Sequence, residues 1–379
     1  MKNVYLDNAA TTPMLPEVVE VMRQSMIDNF GNPSSTHQFG RKAKAGVETA
    51  RKNIAKQFNV SASEIFFTAG GTEADNLVLY NAVLNIGVTK IVTSKIEHHA
   101  VIRTIDYLKR TYNILVEYVK VDKKGNVCLG DLEEVLKESK EKTLVSLMYV
   151  NNEIGNLLPI NKVVSLCKEY KAYFHSDTVQ AIGHYKIDLK NTPIDFIAAS
   201  AHKFHGPKGV GFVYVKKGIP LQPILYGGEQ EKGVRSSTEN VHAILGMEKA
   251  LEISCENMLK DKKSIEEVKK YLINKLKEHF VNVEFNGESL DIEKSSYTIL
   301  NVRFPVKEKM LLFNLDLAGV AVSGGSACQS GANKGSHVLS AFLSEKESEN
   351  TSIRFSFSKL TTIEEVDFAI EKIKKSIKG

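Results

Sequence analysis

The sequence predicts an α/β protein in which a mostly parallel sheet carries helices on both faces and is joined to a smaller α+β domain. Two observations lead to this prediction. In the first two thirds of the chain, short apolar runs alternate with helix-like segments, the pattern of parallel strands joined by crossover helices. Beyond residue 240 the alternation stops, and long amphipathic segments precede a few separate strands.

Six apolar runs of the first part have the length and composition of strands. They are EIFFTAG, KIVTSK, TLVSLMYV, AYFHSD, FIAASA and GVGFVYV. Helices are predicted between them at GTEADNLVLYNAVLN, AVIRTIDYLKRTY, LGDLEEVLKESK and INKVVSLCKEY. The second part predicts two long helices, NVHAILGMEKALEI and SIEEVKKYLINKLKEHF, then strands in SYTILNVRF and TSIRFSFS, and a last helix, TIEEVDFAIEKIKKSI. We place the boundary between the two parts near residue 260.

The composition is typical of a soluble globular protein, with 42% hydrophobic and 25% charged residues among 379. The net charge of +5 comes from 50 basic and 45 acidic residues spread along the chain, so no basic face indicates nucleic-acid binding. No apolar run reaches the roughly eighteen residues of a membrane span. The N-terminal MKNVYLDNAATTP lacks the apolar core of a secretory signal, and we therefore expect a cytoplasmic protein.

The four cysteines are too far apart for a CxxC metal or redox pair. In a reducing compartment we expect no structural disulfide. Cys167 and Cys255 lie in helix-like segments, where packing is the ordinary role, and Cys128 has equally ordinary neighbours. Cys328 differs, because it lies among glycines and serines in VSGGSACQSGANKGS. It is either an inert loop thiol or a nucleophile on a mobile arm.

The segment FTAGGTEADN has the pattern of a strand that ends in a small-residue turn before a helix. Gly70 and Gly71 allow a ligand to approach the backbone. The free N–H groups at the helix start favour an anion such as a phosphate, and the Thr72 hydroxyl adds a donor. The alternative is an ordinary turn in which the threonine caps the helix.

In YFHSDTVQAIG, a carboxylate follows a predicted strand, where open α/β sheets bind ligands. Asp177 there is suited to pair with the ring nitrogen of pyridoxal phosphate (PLP), which keeps the ring electron-poor. Gln180, three residues later, is within reach of a ring substituent. The alternative role for Asp177 is a helix cap.

The segment AASAHKFHGPKGVGFVYV places a lysine directly after another predicted strand. Lys203 is a candidate for a Schiff base, and Ser200 and His202 are candidate phosphate donors. His202 and His205 form an HxxH pair, but no third ligand lies at a suitable spacing, so we predict no metal site.

Two further segments contribute polar groups. SKIEHHAV contains His98 and His99, of which one is a candidate to stack on an aromatic cofactor or to carry protons. TSIRFSFS contains Arg354, whose guanidinium matches a substrate carboxylate or forms a surface salt bridge. A phosphate site, a ring partner, a Schiff-base lysine and a carboxylate clamp together indicate a PLP enzyme that acts on an amino acid.

With these residues in these segments, the chain resembles the cysteine desulfurases of the NifS and IscS type, long-loop class. These enzymes belong to the fold-type I (class-V) aminotransferase family. Ten segments match in order: YLDNAATTP, FGNPSSTHQFG, FTAGGTEADN, IEHHAV, VNNEIGNLLPI, HSDTVQAIG, SAHKFHGPKGVG, GGEQEKGVRSSTEN, SGGSACQS and SIRFS. The resemblance implies a seven-stranded sheet in a large PLP-binding domain of residues 16–260. It also implies a small domain of residues 1–15 and 261–379 that carries the mobile cysteine loop.

The resemblance also implies how the cofactor is held. Lys203 matches the lysine that forms the Schiff base, Asp177 the partner of the ring nitrogen, and Gln180 the residue near the ring hydroxyl. His98 matches the histidine that stacks on the ring and transfers protons.

The phosphate site and the subunit contact follow from the same resemblance. Gly71 and Thr72 match the phosphate turn, which Ser200 and His202 complete. Thr238 matches the threonine that reaches the partner subunit's phosphate, which implies a homodimer.

Substrate roles are implied for three more residues. Asn152 matches an asparagine that contacts substrate and cofactor, Arg354 the arginine that binds the substrate carboxylate, and Cys328 the nucleophile. The implied reaction converts L-cysteine to L-alanine and leaves a persulfide on Cys328, with His98 as our candidate to take the thiol proton. The persulfide then passes to an acceptor protein, such as an iron–sulfur cluster scaffold.

Two departures from the family pattern are expected to matter little. Gly71 stands where alanine is common, and Ser237 stands where glycine is common. The sequence ends in EKIKKSIKG, whereas relatives that supply the iron–sulfur scaffold often have a longer tail, so the acceptor stays open. The alternative activities are a selenocysteine lyase or another PLP enzyme of the class-V aminotransferase family.

Overall fold

The computed structural model describes residues 3–308, 310–324 and 335–378. Their strands are β1 (Val4–Tyr5), β2 (Ile65–Thr68), β3 (Lys90–Ser94), β4 (Leu115–Val119), β5 (Thr143–Ser146), β6 (Tyr173–Asp177), β7 (Phe196–Ser200), β8 (Gly211–Val215), β9 (Glu284–Phe285), β10 (Ile299–Arg303), β11 (Val320–Ala321) and β12 (Ser352–Ser356).

The helices of the described part are α1 (Pro16–Asp28), α2 (Gln38–Gln57), α3 (Gly71–Leu84), α4 (His99–Tyr112), α5 (Leu129–Lys137), α6 (Ile160–Glu169), α7 (Val241–His279), α8 (Leu311–Leu317), α9 (His337–Ser340), α10 (Glu345–Ser348) and α11 (Ile363–Lys378). Short 3-10 turns cover Ala62–Glu64, Ala201–Lys203 and Gln230–Gly233.

The central sheet has seven strands in the order β2-β8-β7-β6-β5-β3-β4, which confirms the predicted fold class. Strands β7, β6, β5, β3 and β4 pair in parallel, and β8 runs antiparallel to both of its neighbours. Strand β4 was not among the strands predicted from apolar runs, because most of this edge strand alternates between exposed and partly buried side chains. The other six strands correspond to the six predicted runs.

Both faces of the sheet are covered, as the near-continuous apolar strands predicted. Adjacent residues of one strand enter different cores: Leu144 packs with α3 and α4, whereas Val145 packs with α2, α5 and α6. This alternation follows from the two-residue period of a strand. Because these strands are parallel, their carboxyl ends lie together at one edge of the sheet.

The second part has its own antiparallel sheet, β12-β10-β9, packed on α8, α11 and the second half of α7. The N-terminal strand β1 pairs with β11 and so joins this part. The prediction of two separate long helices was wrong. Helix α7 runs for 39 residues through position 260, because SCENMLKDKK contains neither glycine nor proline. Its two halves belong to different cores, and the predicted domain boundary stays a prediction.

Candidate active site

A cavity opens at the carboxyl ends of β6 and β7, beside the start of α3, and Arg354 of the small sheet forms part of its wall. Ten of the twelve residues to which the family resemblance assigns a site role line this cavity. They are Gly71, Thr72, His98, Asn152, Asp177, Gln180, Ser200, His202, Lys203 and Arg354. Residues that lie up to 283 positions apart in the chain therefore share one site.

The other two selected residues are not among those that line this cavity. Thr238 lines a separate cavity, together with Arg235, Ser237 and Glu231. Cys328 lies outside the described residues.

The turn between β2 and α3 is shaped by two glycines. Gly70 has a φ of +152°, a conformation that side chains rarely adopt. A Cβ atom at Gly71 would lie 2.6 Å from Cγ2 of Val179. Gly71 therefore has a steric role, and exchange for the alanine of the family pattern is not the conservative change that the sequence suggested. Thr72, Ser200 and His202 line the same cleft, where hydroxyl and ring N–H groups meet the start of a helix.

Asp177 ends β6 with its side chain at the base of the cavity. Its Oδ1 accepts the N–H of Val179 at 2.9 Å. Burial raises the pKa of this carboxyl to about 6, while the Val179 N–H and the charge of Lys203 oppose the rise. Gln180 donates from Nε2 to the Ala9 carbonyl at 2.9 Å. A buried carboxylate beside a lysine is suited to hold a cationic ring nitrogen.

Lys203 ends the short turn that follows β7. Its ammonium donates to the carbonyls of Ala9 at 2.6 Å and Ala10 at 2.8 Å. The His184 ring donates from Nε2 to the Lys203 carbonyl at 3.3 Å, and this bond holds the backbone of the lysine. The Lys203 side chain thus points into the cavity from a fixed main chain.

His98 caps helix α4, with Nδ1 accepting the N–H of Ala100 at 3.1 Å. Burial, together with the charge of Lys203, lowers the pKa of His98 to about 4. The ring is therefore neutral near pH 7 and carries its hydrogen on Nε2.

Arg354 lies on β12 and is only 1% exposed, so the alternative of a surface salt bridge is wrong. Its Nη1 donates to the Asn152 carbonyl at 2.8 Å, and its Nη2 donates to Oδ1 of Asp7 at 2.7 Å. The interaction with Asn152 uses the main chain, which leaves the Asn152 amide for other partners. The guanidinium is thus fixed on two sides within the cavity wall.

Sequence reasoning missed the contribution of the N-terminal segment and one buried acid. Asp7, Ala9 and Ala10 pair with the cations of the site, yet YLDNAATTP showed only one acid among small residues. Asp75 lines the cavity from α3, and its Oδ1 lies 3.3 Å from Nε2 of His175. Burial raises the pKa of Asp75, and the charges of Asp177 and Glu97 add to this rise. The spacing of Asp75 from Thr72, one helical turn, was the available signal.

Metal-binding clusters and membrane-spanning helices are both absent from the part of the chain that the structure describes. No group of three or more His, Cys, Asp or Glu side chains there is placed to hold a metal ion. No helix in the described ranges is long and apolar enough to cross a membrane.

Comparison with known proteins extends over nearly the whole chain. The Aminotransferase class-V family model matches residues 4–368. Proteins named cysteine desulfurase IscS from Dictyoglomus turgidum and Clostridium botulinum (strain Hall) are each 40% identical. The alignments cover 99% and 100% of this chain and 95% of each relative.

Solved structures are similar to this chain over nearly its whole length. A NifS-like protein superposes with a TM-score of 0.90 at 35% identity, covering 99% of both chains. SspA in complex with cysteine superposes with a TM-score of 0.81 at 29% identity, covering 95% of this chain and 100% of that one.

Proposed function

This chain belongs to the class-V aminotransferase family, and we propose that it is a cysteine desulfurase, a PLP-dependent enzyme that converts L-cysteine to L-alanine and a protein-bound persulfide. The observation that carries the proposal is the single cavity that unites Lys203, Asp177, His98 and Arg354. Full-length relatives with that name and a structural neighbour solved with cysteine support it.

The side chains present suit PLP. The turn at Gly71 opens helix α3, and Thr72, Ser200 and His202 line the cleft there with donors for a phosphate. Asp177 supplies a buried carboxylate for the ring nitrogen, and Gln180 lies beside it. Lys203 is the proposed point of covalent attachment. When bound, PLP supplies an electron sink for the carbon that loses its proton.

The substrate is oriented by Arg354 and Asn152. Arg354 is proposed to receive the carboxylate of L-cysteine, since its guanidinium is fixed and faces the cavity. Lys203, once freed from the cofactor, is placed to move the α-proton. The walls of the cavity exclude bulk water from these groups, because most of the lining side chains are buried.

The sulfur step is assigned to Cys328. Its thiolate attacks the sulfur of the substrate, the C–S bond breaks, the alanine fragment keeps the electron pair and gains a proton, and the persulfide remains on Cys328. His98 is the proposed proton carrier. Since the Ala100 N–H occupies Nδ1 of the neutral ring, His98 accepts a proton only when that bond breaks. An acceptor protein, such as an iron–sulfur cluster scaffold, then takes the persulfide sulfur.

A homodimer and a cytoplasmic location complete the proposal. Thr238 lines a cavity other than the one that holds Lys203, which is compatible with a residue that serves a partner subunit. Exposed apolar rings near α1 and α2 are a candidate surface for the subunit contact. Phe30, between these helices, is 67% exposed, and its ring centroid lies 5.1 Å from that of Phe39 in α2. The reducing cytoplasm keeps the thiol of Cys328 available.

The test is an assay of alanine and sulfide after incubation with PLP, L-cysteine and a thiol reductant. We expect equal amounts of both products, loss of activity in Lys203→Ala and Cys328→Ala, and normal activity in the control Cys255→Ala. Activity that survives Cys328→Ala would indicate a lyase that needs no persulfide. A requirement for a keto acid, without sulfide, would indicate an aminotransferase.

A further inference from the structure

The N-terminal segment of residues 5–12 contacts both cations of the cavity. The carbonyls of Ala9 and Ala10 accept hydrogen bonds from Lys203, and the carboxylate of Asp7 pairs with Arg354. The proposed reaction gives Arg354 a second anion to bind, the carboxylate of the amino acid. Asp7 and the substrate therefore meet at the same guanidinium.

The position of Asp7 is fixed by the fold. Residue 7 forms a bridge with Ser356 of β12, two residues from Arg354. The Tyr5 hydroxyl lies 3.1 Å from the Asp7 carbonyl and 2.8 Å from that of Thr11, so it ties this segment together. Asp7 thus cannot move far from Arg354 without disturbing the strand pairing.

The pair between Asp7 and Arg354 is largely shielded from water. The side chains are 16% and 2% exposed, and the Nη2–Oδ1 distance is 2.7 Å. A buried guanidinium without a counter-anion is strongly unfavourable. Asp7 therefore neutralises Arg354 before any substrate arrives.

One edge of the guanidinium still has an N–H group to offer. Nη1 and Nη2 are bonded to Asn152 and Asp7, but Nε is buried and has no hydrogen-bond partner among the described residues. A buried donor left unpaired costs free energy, so this atom favours a ligand that accepts a hydrogen bond. A carboxylate that binds there meets a cation already paired with Asp7.

We propose that Asp7 is a positioning residue that holds Arg354 in place and competes with the amino acid carboxylate, so that it limits how tightly substrate and product bind. When alanine leaves, Asp7 stays, and the buried guanidinium is never unpaired. This arrangement weakens the binding of substrate and product and makes product release easier. The proposal rests on the proposed function only in taking Arg354 as the carboxylate site.

The test measures binding of L-alanine to the PLP-loaded protein by calorimetry, because L-alanine has no sulfur to lose. In Asp7→Asn, an oxygen still accepts from Nη2 but the competing charge is gone. We expect the affinity for L-alanine to rise roughly tenfold, as the loss of a nearby charge in a partly buried site implies. L-Alaninamide, which lacks the carboxylate, is expected to bind both proteins equally.

Two protein controls accompany this variant. Glu20→Gln removes an exposed charge that pairs with Arg23 and is expected to change no affinity. Asp7→Glu keeps the charge and is expected to give no gain. If Asp7→Asn does not fold, Tyr5→Phe loosens the segment without touching the carboxylate, and a smaller gain in L-alanine affinity is expected.

An unchanged or weaker affinity of folded Asp7→Asn for L-alanine would overturn the proposal. An equal gain for L-alaninamide would also overturn it, because the effect would not arise at the carboxylate. In the Tyr5→Phe arm, no gain would be the contradicting result. If native protein releases no sulfide from L-cysteine while these titrations behave as expected, the desulfurase proposal fails and the role of Asp7 stands.

Discussion

The contact between Gly71 and Val179 gives a prediction whose size follows from the structure. In Gly71→Ala, the new methyl carbon would lie 2.6 Å from Cγ2 of Val179, so the two groups must separate by about 0.8 Å to reach an ordinary contact of 3.4 Å. Val179 is stiff at χ1 because it is β-branched, and its N–H is bonded to Asp177. We expect the free energy of unfolding to fall by about 1–3 kcal/mol, and PLP binding to weaken because Asp177 is displaced.

The assay is urea unfolding of the cofactor-free protein, followed by titration with PLP. Gly130→Ala is the matched control, because a Cβ at this helical glycine meets nothing within 4 Å. We expect Gly130→Ala to be neutral or slightly stabilising. In the double variant Gly71→Ala/Val179→Ala, the methyl group gains room, and most of the lost stability should return. Full stability of Gly71→Ala alone, or simple addition of the two single effects, would refute the steric argument.

Three further predictions concern backbone strain, a buried ion pair and pH. Ser237 has a φ of +99°, which favours glycine. Ser237→Gly is therefore expected to raise the free energy of unfolding by about 1 kcal/mol in urea melts. A decrease in the free energy of unfolding would contradict this. Glu231 pairs with Arg51 through contacts of 2.6 and 2.8 Å, and both side chains are buried. Glu231→Gln is therefore expected to lower the free energy of unfolding by about 3 kcal/mol, whereas Glu20→Gln in an exposed pair should leave it unchanged. Equal effects of the two substitutions would show that burial is irrelevant. Burial raises the pKa of Glu97 from 4.5 to about 8, so the folded state retains a proton that the unfolded state releases over that range. The stability of the native protein should therefore fall from pH 4.5 to 8 relative to Glu97→Gln, and parallel pH profiles would refute it.

The central sheet was predictable because its strands are buried on both faces and read as continuous apolar runs. Edge strand β4 was not, since Glu117 and Leu115 face solvent and interrupt the pattern. The continuity of α7 was also missed, because two amphipathic segments share one helix whose halves pack on different cores. Tertiary packing, rather than local pattern, decides both features.

The site was predictable wherever a polar residue follows a strand or opens a helix, as for Asp177, Lys203 and Thr72. The role of the N-terminal segment was not, because β1 pairs with β11 more than 300 residues later. The bridge between Asp7 and Ser356 of β12 then places Asp7 beside Arg354, and nothing in the local sequence indicates it. Likewise, the strain at Ser237 depends on a φ value that its neighbours impose.

The most direct test of the proposed function is to locate the sulfur after a single turnover. The PLP-loaded protein is mixed with limiting L-cysteine without reductant, alkylated and digested, and each cysteine peptide is examined by mass spectrometry. We predict one added sulfur atom on Cys328, in an amount equal to the alanine formed, and none on Cys128, Cys167 or Cys255. Alanine formed without sulfur on Cys328, or with sulfur on another cysteine, would contradict the account.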